Sequence, residues 1–107
     1  MPSAILLAAR SLISEPARWT QGTSARDVHG RSDTPGSPDA VCWCASGALQ
    51  AVTKLCRDAL YCAARSHLER ALPDARPIAV FNDTEEHETV IALFDRAIAY
   101  AAQQEAA

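Results

Sequence analysis

Residues 16 to 41 constrain the fold more than any other stretch of the chain. Between Pro16 and Val41, Gly22, Gly30 and Gly36 alternate with Pro16, Pro35 and Pro38 through mostly polar sequence. A connection of that length without structure of its own is uncommon in a compact domain. Local pairing and a tether to the core must therefore organise it. Asp27-Val28-His29-Gly30 has turn composition, with an Asp to accept nearby amides and a Gly for a positive φ. Thr23 to Arg26 and Arg31 to Thr34 flank that turn as a short hairpin. Trp19, a large apolar residue at the start of the segment, is suited to pinning it onto the helices, with ligand stacking as the alternative.

The flanking sequence is helical in character. Ala supplies 22 of the 107 residues and is the best helix former. Arg outnumbers Lys nine to one, which together with the Ala excess is the bias of a GC-rich bacterial coding sequence. Ser3 is placed to cap a first helix with an apolar stripe at Ile5, Ala8, Ala9, Leu12 and Ile13, and Pro16 ends it. After caps at Ser37 to Asp39, a second helical region places Leu49, Val52, Leu55 and Cys56 on one face. Gly47 inside it costs about 1 kcal/mol relative to Ala and marks a close approach by another group. From Arg57 to Leu72 a further stretch aligns Leu60, Ala64, Leu68 and Ala71, as a second helix or as the continuation of one running from Trp43.

Beyond Pro73 and Pro77, Ile78-Ala79-Val80-Phe81 is an apolar run of strand length, expected to pair with the hairpin. Asn82 to Glu86 then reads as a helix start, with Asp83 and Glu86 spaced as in a capping box. The cluster Asp83, Glu85, Glu86 and Glu88 complements the dipole of that helix. Its stripe is Val90, Phe94, Ala97, Ile98 and Ala101. The expectation is a mainly α single domain over residues 1–107, with three to four helices, a long organised loop and a small β-hairpin or short sheet. The elements are a helix at about 3–15, the loop with its β element at about 16–41, a central helical region at about 43–72 and a final helix at about 84–102.

Composition removes several function classes. With 10 basic against 13 acidic residues and a charge of −3, the chain lacks the basic footprint of a nucleic-acid partner. No apolar run reaches the length of a membrane span, and no Lys or Arg precedes the short apolar stretch from Ala4 to Ala9. The chain therefore reads as cytoplasmic, with no membrane partner, and Cys42, Cys44, Cys56 and Cys62 as free thiols. Charge is uneven along the chain. Residues 41–76 hold five basic and three acidic groups, and residues 77–107 hold one and six. The simple account is a last helix facing Arg57, Arg65 and Arg70; the sharper one is an acidic partner-binding surface.

Four stretches form an ordered series: Trp19-x-x-Gly22, Ala25-Arg26-Asp27-x-x-Gly30-Arg31, Trp43-Cys44-Ala45-x-Gly47-Ala48-Leu49, and Phe81-Asn82-Asp83 ahead of Val90-Ile91-x-Leu93-Phe94-Asp95-x-Ala97. The series resembles a family of small bacterial and phage-associated proteins known as a domain of unknown function, with Phe81 where Trp is the more usual residue. The resemblance spans residues 5 to 100 or so and implies that the motifs belong to one compact unit; it implies no activity.

Cys44 is the residue most suggestive of chemistry. In the first turn of a helix, a thiol feels the positive dipole end, which lowers its pKa. A cysteine enzyme also needs a base and an orienting group, for which His87 or His29 with Asp27 or Asn82 are available. The simpler role for such a cysteine is packing. Asp27 with Asn82 and Asp83, near Trp19, can frame a small polar cleft or merely satisfy turn amides. The cysteine spacings do not match common zinc knuckles, so no metal is expected, and no phosphate or dinucleotide fingerprint implies a cofactor. His67 sits on a helix flank and signals nothing. The sequence thus points first to a non-enzymatic interaction or accessory module, working by self-association or with a protein partner. The alternative is a small hydrolase-like enzyme using Cys44, His87 and Asp27.

Overall fold

The computed structural model describes residues 1–54 and 58–107. Helix α1 spans Pro2–Leu12, a 3₁₀ turn follows at Pro16–Arg18, and the strands β1 Ala25–Arg26, β2 Ser32–Asp33 and β3 Cys42–Trp43 come next. Four more helices complete the chain: α2 Ala45–Val52, α3 Ala59–Ala71, α4 Ile78–Thr84 and α5 His87–Ala106. The fold is mainly helical, with five α-helices among the described residues rather than three to four.

One apolar cluster unites the helices. Leu6, Ala9 and Ile13 from α1 and its end meet Val90, Leu93, Phe94, Ala97 and Ala101 of α5, with Leu49 of α2 and Ala64 and Leu68 of α3. The α5 stripe follows the expected helical spacing, with Leu93 added and Ile98 half-buried. On α1 the buried face centres on Leu6 rather than Ile5, and Ala8 is exposed. On α3, Tyr61 takes the core position expected of Leu60, which faces solvent. His67 lies edge-on to Tyr100 at 5.4 Å.

The central region is two helices, not one. Thr53 ends α2, and Lys54 has φ of 54°, a left-handed conformation that stops a helix after its last turn. Asp58 then caps α3 by accepting the Tyr61 amide at 3.0 Å. The apolar positions assigned to Leu55 and Cys56, and the helical start assigned to Arg57, lie outside the described residues.

Two other elements differ from the sequence expectation. Ile78 to Phe81 forms α4 rather than a strand, because its buried residues are Ile78, Phe81 and Asn82, a helical spacing, while Ala79 and Val80 face solvent. Asp83 and Thr84 therefore close α4 instead of opening the last helix. That helix starts at His87 after Glu86, whose side chain makes no capping bond, and of the acidic cluster only Glu88 lies in its first turn. The first helix is capped by Met1 rather than Ser3, whose amide and hydroxyl both donate to Glu105 of α5.

The long loop does contain the hairpin. β1 pairs antiparallel with β2, Ala25 opposite Asp33 and Arg26 opposite Ser32. Its other edge carries β3, Ala25 opposite Trp43, to give the order β2-β1-β3. Cys42 and Trp43, expected near the start of a helix, thus extend the sheet, and α2 begins directly after it. Gly47 marks where α2 meets this loop. A Cβ there would overlap the Ser24 carbonyl oxygen and come within 2.9 Å of the carbonyl carbon. Gly47→Ala gains up to about 1 kcal/mol of helix propensity, but pressing on backbone that cannot rotate away costs more. The expected net loss is about 2 kcal/mol, or roughly 10 °C in Tm, measured by thermal or urea unfolding.

Candidate functional site

Asn82 lies at the junction of loop, sheet and helices, and it is fully buried. Pro77 and the helical turn of α4 aim its side chain inward, beside the N-terminus of α2. Its Oδ1 accepts from the Trp19 indole N–H at 2.7 Å and from the Ala45 amide at 3.0 Å. Its Nδ2 donates to the Thr20 carbonyl at 3.0 Å and to Asp83 Oδ1 at 3.1 Å. A buried amide with both ends satisfied in this way holds one arrangement and resists others. Asp83 Oδ1 also accepts the Gly22 amide at 2.9 Å, and Gln21 Nε2 donates to the carbonyls of Asn82 and Glu85. Asn82 and Asp83 thereby clamp residues 19 to 22 against α2 and α4.

Arg26 secures the loop from its other side. It donates to Thr20 Oγ1 and to the carbonyls of Gln21 and Gly30 at 2.9 to 3.0 Å. At the hairpin tip Asp27 Oδ1 accepts the amides of His29 and Arg31. These bonds, that to Arg31 first, hold its carboxyl below the usual carboxylate range.

Cys44 is the N-cap of α2. Its Sγ accepts the Gly47 amide at 3.2 Å, and its own amide donates to the Ser24 carbonyl. The sulfur borders an open cleft of about 240 Å³, framed by Thr23, Ser24, Ser46 and Asp83. Burial pushes the thiol pKa up; the Gly47 and Ser46 amides pull the other way without cancelling it, and the Asp83 charge adds to the rise. The lowering expected from the helix terminus is thus outweighed, because the sulfur is withdrawn from solvent and faces a carboxylate.

The remaining candidates separate into two places. Trp19, Asn82, Asp83 and Cys44 converge around the start of α2. His87 lies behind Trp19, with its ring 5.5 Å from the indole and its Nε2 2.7 Å from the Ile13 carbonyl. Neither it nor His29 hydrogen-bonds Cys44. His29 and Asp27 instead sit at the hairpin tip beside a hollow of about 490 Å³. Among the described residues Cys42, Cys44 and Cys62 are free thiols, and no group of three or more side chains is arranged to hold a metal ion. Gln21, and Arg26 beyond its place in the motif, carry no local signal of their bonds in the sequence. Arg65, expected to face the last helix, reaches Ser46 on α2 instead; the spacing of Tyr61 and Arg65, one helical turn apart, signals only their own contact.

A family model covers residues 1–100 of the chain, and all four motif stretches fall inside that range. The chain belongs to DUF6197, a family of unknown function. No curated protein and no solved structure matches it at a significant level. Within DUF6197 this member therefore offers its own geometry as the guide to its role.

Replacing Asn82 tests the clamp. Asn82→Leu strands the Trp19 and Ala45 N–H groups, each worth about 1–3 kcal/mol, so a loss on the order of 3–5 kcal/mol is expected by urea unfolding, with altered Trp fluorescence. Asn82→Asp keeps the acceptor but buries a charge beside Asp83. The introduced carboxyl has its pKa raised in the folded state, so its variant regains stability as pH falls through the carboxylate range and loses it as pH rises. A flat stability difference from wild type between pH 4 and 7, roughly the span over which a raised carboxyl titrates, counts against this description.

Proposed function

We propose that this DUF6197 protein is a non-enzymatic binding module, an interaction or accessory protein of the cytoplasm. The observation that carries this reading is the use of Cys44: its sulfur caps α2 and is held in the thiol form by burial. The other polar residues of the motifs are likewise engaged with one another. Asn82 is saturated, Asp27 organises a turn, and His87 is held at the Ile13 carbonyl. Such bonding supports a scaffold that presents surface, rather than a nucleophile poised beside a base. No helix among the described residues is long and apolar enough to cross a membrane.

What the scaffold presents is the cleft of Thr23, Ser24, Ser46 and Asp83, and apolar side chains at Leu7, Val28 and Val41. Val28 is 76% exposed, and with Val41 it borders the hollow at the hairpin tip. A second copy of the chain, or another protein, is the partner these features favour. Native mass spectrometry of the reduced protein should show a concentration-dependent dimer; a monomer at all concentrations removes self-association.

Thiol reactivity separates module from enzyme. In the folded protein iodoacetamide should modify exposed Cys62 well before Cys44, and Cys44 should catch up only on unfolding. Faster labelling of Cys44 than of Cys62 would revive a catalytic role. The same thiol sets an alkaline dependence. Its folded pKa is raised, so its contribution to stability is present below the ordinary thiol value of about 8.5 and is lost as pH rises through the folded value.

A further inference from the structure

Arg65 carries a positive charge that no carboxylate among the described residues neutralises. It projects from the middle of α3 toward α2 and is half-buried. Its Nη1 donates to Ser46 Oγ at 3.1 Å and to the Tyr61 hydroxyl at 3.4 Å. Tyr61 is only 5% exposed, so that hydroxyl is held by a ring locked in the core. Gln50 Nε2 donates to the same Ser46 oxygen at 3.3 Å. Ser46 therefore accepts twice, and its own proton is left to donate elsewhere. Ser46, Gln50, Tyr61, Cys62 and Arg65 line a cavity of about 420 Å³, which adjoins the cleft at Ser46.

Five other arginines have an evident counterpart, and Arg18 lies over the Trp43 ring. Arg10 pairs with Asp95, Arg31 with Asp27, and Arg76 with Asp74 and Glu85. Arg70 and Arg96 line a different cavity at the end of α3, where Arg96 donates to the Ala71 carbonyl at 3.2 Å. The negative pole of a helix accounts for both. Arg65 is not at a helix end. Glu69, one turn onward, makes no ion pair with it, and the Asp58 carboxylate is bound to the Tyr61 amide at the start of α3. Arg26 is half-buried too, but its Nε, Nη1 and Nη2 each meet an acceptor. Arg65 uses Nη1 alone, and its Nε and Nη2 have no acceptor among the described residues. A partly desolvated guanidinium left in that state favours an anion. Its planar fork matches a carboxylate or a phosphate, and adjacent hydroxyls add donors.

We propose that the Arg65 pocket is an oxyanion-binding site that takes the phosphoryl or carboxylate group of a small ligand. Arg65 engages the anion, the Ser46 and Tyr61 hydroxyls and the Gln50 amide complete its shell, and the rest of the ligand extends past Ser46 into the Asp83 cleft. The site deepens the binding-module reading and rests on it, but the two fail separately: fast alkylation of Cys44 strikes the module reading alone, and a failed anion titration strikes only this site.

Titration of the full chain with inorganic phosphate and with acetate, at ionic strength matched by sodium chloride, tests it through backbone amide NMR shifts. Saturable shifts are expected at Ser46, Gln50, Tyr61, Cys62 and Arg65, with slower alkylation of Cys62 as the site fills. Arg65→Gln should weaken binding at least about tenfold, or ~1.4 kcal/mol, while Arg70→Gln leaves it unchanged. Tyr61→Phe, which keeps the core ring, should weaken it several-fold and serves if Arg65→Gln fails to fold. Tighter phosphate than acetate assigns a phosphoryl ligand, and the reverse a carboxylate. Absence of saturable shifts with both anions, or equal binding by Arg65→Gln, overturns the proposal.

Discussion

The Asn82 side-chain amide is the contact on which the arrangement of loop, sheet and helices depends. One planar group with two acceptor directions and two donors meets the Trp19 indole, the first amide of α2, the Thr20 backbone and the Asp83 carboxylate. Three segments far apart in sequence are thus referred to one atom group in the core. An apolar residue of the same size would fill the space but leave the buried Ala45 amide, and the half-buried Trp19 N–H and Thr20 carbonyl, without these partners, a cost that packing does not recover. The long polar segment is ordered because its start is tied to this amide at Trp19 and Thr20, its middle to Arg26, and its far end to β1.

Around that junction the chemistry is conservative. Cys44 sits where a reactive thiol is often found, at a helix N-terminus, yet burial and the facing Asp83 carboxylate reverse the effect of the dipole. The same helix start is bounded by Gly47, whose missing side chain admits the Ser24 backbone. Cap, close approach and amide clamp together leave α2 little freedom at its first turn, and Ser46 in that turn is held toward both the cleft and the Arg65 pocket.

Much of this was legible from local signals. The turn at Asp27 to Gly30, the anchoring indole of Trp19 and the close approach at Gly47 each follow from residue types that have few other uses in such places. The final helix was legible from its period. The misreadings share a cause as well. Ile78 to Phe81 is too short for periodicity to separate strand from helix, and only the tertiary position of Asn82 decides it. Once that segment is helical, Asn82 and Asp83 change from the opening of one helix to the end of another. Their bonds to Trp19, Thr20 and Gly22 span about sixty residues and leave no local trace. Arg65 was hidden for the same reason: a charge on a helix flank reveals nothing until its neighbours across the fold are known.

The two sets of tethers on the long loop differ in reach. Arg26 closes its contacts with Thr20, Gln21 and Gly30 over six residues or fewer, whereas Asn82 reaches Thr20 across 62. Loop-closure entropy grows with the length enclosed, so the Arg26 set carries the smaller entropic penalty and is available to a chain whose C-terminal third is still disordered. The hairpin segment is consequently shaped by contacts of short sequence reach, while its place in the fold is set by long-reach ones from Asn82, Asp83 and the start of α2.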